Sequence, residues 1–300
     1  MDAGSDQCGK RGNANRHAMS DIHVFNHSAM ATQFQVRIAN EEKTYAAQAA
    51  QALFALTDNL ESHLSRFRAN SDISRIAALA PGEQLRLSVP VFACLAISEK
   101  MERATRGAFS VTASALKTQG ARPQWSLLKD RFSIRCDEGK LELDLGAIGK
   151  GFALDRMAEE LREWDCPAFL LVAGGSSILA GEAPPHVPGW SCGLGEDNSP
   201  KRYWLKNSSL SGSGLAVKGS HILDPRTGGP AQRLNRAWAL ADTGAESDAL
   251  STAAMVLAEK EISEVVAGNP NWLVFLTGEN GRIAIGDRAL PPRCENQGNG

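Results

Sequence analysis

A chain of 300 residues, 43% hydrophobic and 22% charged, can bury a sizeable core as one large domain or two closely joined ones, which excludes a disordered or staple-dependent protein. With 32 Lys and Arg against 34 Asp and Glu, the net charge is -2, so no global basic field gathers nucleic acid or anionic lipid. The apolar segments are all too short to span a membrane, and the 6 cysteines show no metal-ligand spacing and are expected to be reduced thiols.

The N-terminus "MDAGSDQCGKRGNANRHAMSD" is polar, glycine-rich and lacks the apolar centre of an export signal. Residues 1–22 are expected to form a disordered arm, residues 23–293 a single domain, and the last few to fray. The expected address is cytoplasmic as the sequence is written, and periplasmic if the start is misassigned. His17, His23 and His27 fall in or near the arm and read as solvated side chains.

Phe34, Val36 and Ile38 in "FNHSAMATQFQVRI" alternate with polar residues and predict an early strand. Tyr45 to Phe67 carries apolar residues every three or four positions and predicts a long amphipathic helix, after which Asp72 caps or turns the chain. Ser88 to Gly107 reads as a second helix, with Pro90 in the first turn and Gly107 as its stop. "KLELDLG", Lys140 to Gly146, alternates as a strand would and runs through a small-residue turn into the helix "AIGKGFALDRMAEELREW".

"AFLLVAGG" predicts a buried strand ending at Gly174 and Gly175, and "GWSCGLG" and "YWLKNSSLSGSG" predict short strands. "RAWALAD" reads as a strand, Glu246 to Glu261 as a helix, and "NWLVFLTGENGRIAIGD" as a hairpin turning at "GENG". Hairpin-like pairs mixed with long helices, without regular β-α alternation, predict an α+β fold.

Three segments concentrate chemistry. Asp248 and Thr252 stand at i and i+4 near a helix start, so a carboxylate and a hydroxyl share one face, an oxygen pair that suits Mg²⁺. A helix cap by Asp248, with Thr252 bonding back to a carbonyl, accounts for the same spacing. "DLGAIGKGF" strips side chains from a strand-to-helix turn and adds Lys150, either for an anion or for close helix packing; it is not a Walker loop. "HILDPRTGGP" sets His221, Asp224 and Arg226 among turn residues, either to hold a phosphate or as a plain Asp-Pro turn. There is no Gly-x-Ser-x-Gly elbow, so "GGSS" is not read as a nucleophile motif.

Together "LDLGAIGKGFALD", "HILDPRTGGP" and "SDALSTAAMVL" resemble the FAD:protein FMN transferase family, also called the ApbE or flavin transferase family. "MATQF", "RFRANSDISRI", "TRGAFSVTASAL" and "LLVAGGSSILAGE" add to the likeness, which spans most of residues 28–280. The resemblance implies mixed or antiparallel sheets packed with long helices around a T-fold-like core. It implies FAD as substrate, Mg²⁺ as cofactor, FMN transfer to a Thr or Ser hydroxyl of an acceptor flavoprotein, and release of AMP. Some relatives instead hydrolyse FAD, and a non-catalytic flavin-binding member is the other alternative.

Carried over position by position, the resemblance makes Asp248, Thr252 and the Ala147 carbonyl the metal ligands. Lys150 and Asp155 fall on the adenosine side of the pocket, His221 beside the pyrophosphate, and Met30, Gly174 and Gly175 in the lining. Asp248, His221 and Lys150 are the expected catalytic set. Two segments depart from the family pattern: "LSGSGLAVKGSHILD" lacks the expected acidic residue and Tyr, and "VAGGSSI" stands where Asn-x-Gly-Gly-Glu is usual.

Overall fold

The computed structural model describes residues 21–194, 202–214, 222–231, 234, 236–278 and 281–294. Among these, eight strands form one antiparallel sheet in the order β1-β2-β6-β7-β10-β11-β12-β13. They are β1 (Ile22–Ala29), β2 (Thr32–Ala39), β6 (Phe169–Ala173), β7 (Ser177–Ala180), β10 (Ser208–Gly214), β11 (Arg236–Ala241), β12 (Leu273–Gly278) and β13 (Gly281–Ile285). Helices α1 (Lys43–Leu64), α3 (Val89–Ala104), α5 (Gly149–Glu163) and α6 (Gly244–Ala254) share one continuous core with the inner face of this sheet. The fold is α+β, as the mixture of hairpins and helices predicted.

Period-2 alternation decides which residues face the helices. Phe34, Val36 and Ile38 of β2, with Phe169 and Leu171 of β6, enter the helix-side core. Leu170, Leu210, Trp238, Leu240 and Phe275 point the other way and are covered by the ribbon of β8 (Trp190–Gly193) and β9 (Arg202–Leu205). A small sheet, β3-β5-β4 (Gln84–Arg86, Ser133–Glu138, Gln124–Leu128), extends the helix-side core through Ile134 and Cys136.

Several local expectations change. Lys140 to Gly146 belongs to no sheet: the Glu142 N–H turns back to the Lys140 carbonyl at 2.9 Å, and Gly146 begins a turn. Leu141, Leu143 and Leu145 are buried as alternation requires, while the Asp144 N–H donates to the carbonyl of Val111 in a loop. Alternating burial therefore does not require a partner strand. Glu246 to Glu261 is not one helix: α6 ends at Ala254 and α7 (Glu259–Ala267) starts afresh, the Glu261 carboxylate accepting the Ala258 N–H at 2.8 Å.

Ser71, not Asp72, caps the short α2 (Asp72–Ile76), its hydroxyl accepting from Ser74 N–H. The buried Asp72 carboxylate instead takes the N–H of Ser88. His23 and His27 belong to β1 rather than to an arm. The His27 ring stacks on Phe54 at 4.7 Å and bonds Asp58 at 2.7 Å. No helix among the described residues is long and apolar enough to cross a membrane.

Candidate active site at two helix N-termini

The small-residue turn before α5 lets two helix starts touch. A Cβ on Gly151 would lie 1.9 Å from the Gly244 carbonyl oxygen, and one on Gly244 would lie 2.3 Å from that of Gly151. Only a glycine pair permits this approach. Thr243 caps α6 by accepting the Glu246 N–H, which leaves Asp248 free of the capping role.

Asp155, on α5, secures the crossing from behind. Its two carboxylate oxygens accept the N–H groups of Gly244 at 2.6 Å and Ala245 at 2.9 Å. Burial pushes its pKa up to about 6, against the pull of those two hydrogen bonds. Its carboxylate is therefore committed to α6. It lines a separate cavity with Lys100, Arg156 and Glu246, away from the one that holds Lys150. Lys150 and Asp155 are five residues apart on one helix, about 140° around its axis, so they serve different faces.

Asp248 sits where the two helices meet, only 1% exposed. Its Oδ2 accepts the Gly151 N–H at 3.1 Å and lies 3.6 Å from the Lys150 ammonium. Its Oδ1 accepts the hydroxyl of Ser177 at 3.2 Å. One turn on, the Thr252 hydroxyl is within 3.3 Å of the Asp248 carbonyl and 3.1 Å of Ser213 Oγ. The back-bonding threonine of the plainer reading is thus present, while the Asp248 cap is not.

A seam of hydroxyls runs behind this pair. Ser209, Ser211 and Ser213 share one face of β10, and Ser247 and Ser251 share one face of α6. Ser247 bonds both Ser209 and Ser211 at 2.8 Å, and Ser251 bonds Ser213 at 3.0 Å. These small side chains let α6 lie close against the sheet while satisfying their own polar atoms. The alternation in "SSLSGSG" and the four-residue step from Ser247 to Ser251 were the available signal for this seam, but neither one alone identifies the other as its partner.

Two chambers open at the same end of the sheet. One, of about 490 Å³, is lined by Met30, Phe67, Lys150, Gly174, Gly175 and Ser176, among others. The other, of about 400 Å³, includes Phe109, Ala147, Ile222, Pro225 and Thr252 in its wall. Arg66, Asp144 and Gly146 border both, and Arg66 Nη1 bonds Asp144 Oδ2 at 3.0 Å. The Phe67 ring is 83% exposed, with the Arg66 guanidinium 4.9 Å from its centroid. Phe67, Arg66 and Ser177 were not singled out from the sequence, because only long-range folding brings them to the cleft.

Met30, Lys150, Gly174 and Gly175 thus come together, and Ala147 and Thr252 come together, with Asp248 between the groups. His221 lies outside the described residues; its neighbour Ile222 lines the second chamber. The loop that follows is pinned at its outer side: Arg226 clasps Asp224 through two 2.9 Å contacts and reaches Glu261 at 2.6 Å. Buried thiols add no reactivity. Burial raises Cys94 and Cys192 to about 12 and Cys166 to about 11, and the five described cysteines are unpaired.

The ApbE family model matches residues 30–276, a span that holds every part of this site. The chain belongs to the ApbE family. A protein named FAD:protein FMN transferase from Klebsiella pneumoniae (strain 342) is 24% identical over 249 residues, covering 71% of this chain and 75% of that protein. One of the same name from Haemophilus influenzae is 25% identical over 280 residues, 79% of each. The apo structure of Pseudomonas stutzeri flavinyl transferase ApbE superposes with a TM-score of 0.76 at 21% identity, covering 88% of this chain and 94% of that one, and so shares the ApbE fold.

Within this ApbE-family fold, the oxygens around Asp248 fit a hard divalent cation in their chemistry. They comprise the buried Asp248 carboxylate and, one turn on, the Thr252 hydroxyl, which shares the wall of the 400 Å³ chamber with Ala147. No group of three or more His, Cys, Asp or Glu side chains that could hold a metal is present among the described residues.

Proposed function

We propose that this chain transfers FMN from FAD to a Thr or Ser hydroxyl of an acceptor flavoprotein, depends on Mg²⁺ and releases AMP. The observation that carries the reading is the buried Asp248 carboxylate, fixed at the crossing of two helix N-termini beside Lys150 and the two chambers. The names of the relatives from Klebsiella and Haemophilus support it.

In this reading Asp248, Thr252 and the Ala147 carbonyl hold the cation, which when bound supplies charge neutralisation on the diphosphate. Lys150 adds a second positive charge next to Asp248. The N–H groups at the start of α5 favour an anion, which suits a diphosphate. Met30, Gly174 and Gly175 form the wall against which the dinucleotide lies. His221, which precedes Ile222 of the cleft wall in sequence, contributes beside the pyrophosphate. The acceptor hydroxyl displaces AMP from the FMN phosphorus, and AMP leaves with the bridging oxygen and takes up the hydroxyl proton.

Incubation with FAD, Mg²⁺ and a candidate flavoprotein should yield a covalent flavin adduct and AMP in equal amounts. Asp248→Ala should abolish both products, since it removes the one charged ligand. AMP without an adduct would assign FAD hydrolysis instead, and neither product would overturn the enzymatic reading.

A further inference from the structure

The turn between β6 and β7 carries a hydroxyl whose orientation is set by its neighbours. Ser177 is fully buried and donates its only proton to Asp248 Oδ1. The Ser176 and Ser177 hydroxyls lie 3.4 Å apart, and with the Ser177 proton already committed, Ser176 must be the donor in that contact. Its proton therefore points inward along the Ser177–Asp248 chain.

Ser176 lines the 490 Å³ chamber with Lys150, Gly174 and Gly175, and among the described residues its Oγ contacts no polar group other than Ser177. Ser176 is half-buried, and its neighbour Gly175 is exposed, with no atom within 4 Å of where a Cβ would be. The main chain is held as well, for the Ser176 carbonyl accepts the Gly212 N–H at 2.7 Å. Another hydroxyl of the chamber is engaged differently, Ser65 Oγ accepting the Phe67 N–H at 3.2 Å. Ser176 thus combines the chemistry of a Ser acceptor with a fixed position two hydroxyl contacts from Asp248.

We propose that Ser176 is an internal acceptor, so that without a partner flavoprotein the chain attaches FMN to its own Ser176. This rests on the transferase reading above. Ser176 Oγ forms a new bond to the FMN phosphorus of FAD, and the bond from that phosphorus to the bridging oxygen breaks. AMP leaves with that oxygen and takes up the hydroxyl proton. No oxidant or reductant is needed, and FAD is the only co-substrate.

The test uses the full-length chain with FAD and Mg²⁺ and no acceptor, read by intact mass, peptide mapping and AMP release. The expected result is one added FMN per chain, one equivalent of AMP, and the label on the peptide containing Ser176. Ser176→Ala should lose the label, and Ser176→Thr should keep it, which separates loss of the hydroxyl from loss of fold. AMP release without a mass gain, labelling of Thr32 or Ser65, or undiminished labelling of Ser176→Ala would overturn the inference. Transfer to an external flavoprotein by a chain that stays unlabelled would overturn it while leaving the transferase reading intact. Absence of AMP with and without acceptor would overturn both.

Discussion

The two segments that wall the cleft, residues 144–151 and 222–231, are held by opposite means. The first is locked from within, by backbone contact between Gly151 and Gly244 and by carboxylates that accept main-chain N–H groups. The second is fastened at the surface, by Arg226 bridging Asp224 and Glu261. Interior locks cannot be relaxed by solvent, whereas a surface clasp is screened and exchanges readily with water. The Asp248 half of the site is therefore preorganised at high cost to sequence freedom. The loop carrying Ile222 is positioned at low cost.

The largest effect expected is from Gly151→Ala, because its Cβ would overlap the Gly244 carbonyl. Forcing the helices apart should cost about 3 kcal/mol, the upper end for overpacking, and remove the Gly151 contact to Asp248. Denaturant unfolding checks the first and AMP release the second; near-wild-type values would show that the glycine contact is not a constraint.

Next comes Asp155→Ala, which leaves the Gly244 and Ala245 N–H groups without their acceptor and should cost about 1–3 kcal/mol. Its pH signature has a definite sign. The pKa is raised from 3.8 to about 6 in the fold, so the stability linked to this group is fully present below about pH 4 and is lost as pH rises through about 6. Wild-type unfolding free energy, compared with Asp155→Asn, should fall across that window, and parallel curves would refute the assignment.

Arg226→Ala should cost less, about 1 kcal/mol, and the difference from wild type should shrink in 1 M salt. The burial of Asp224 raises its pKa, but the hydrogen bonds from Arg226 prevail and hold it below the usual range, so the clasp is complete at neutral pH. A salt-independent loss would place Arg226 with the interior locks. The smallest effect expected is from Ser251→Ala, which removes the contact to Ser213 in the β10–α6 seam and the bond to the Asp248 carbonyl, and should cost about 0.5 kcal/mol by thermal unfolding, with AMP release little changed.

The local parts of this design were legible before folding. Alternation at Phe34, Val36 and Ile38 gave the inner face of β2, and the four-residue step from Asp248 to Thr252 placed both on one helix face. The long-range parts were not. Gly151 N–H and Ser177 Oγ reach Asp248 from 97 and 71 residues away, separations over which periodicity carries no signal. The resemblance put Lys150 and Asp155 on the same side of the pocket; in the structure the helical turn directs Asp155 to the start of α6 and Lys150 to the chamber. Alternation misled at Lys140 to Gly146, where alternate burial of Leu141, Leu143 and Leu145 mimics a strand in a loop.

The measurement that bears most directly on the account is anomalous diffraction from crystals of the chain soaked with Mn²⁺ and FAD, Mn²⁺ standing in for Mg²⁺. The account predicts a single strong peak among the Asp248 carboxylate, the Thr252 hydroxyl and the Ala147 carbonyl, in contact with the diphosphate. A peak elsewhere in the cleft, or bound FAD with no metal near Asp248, would contradict it.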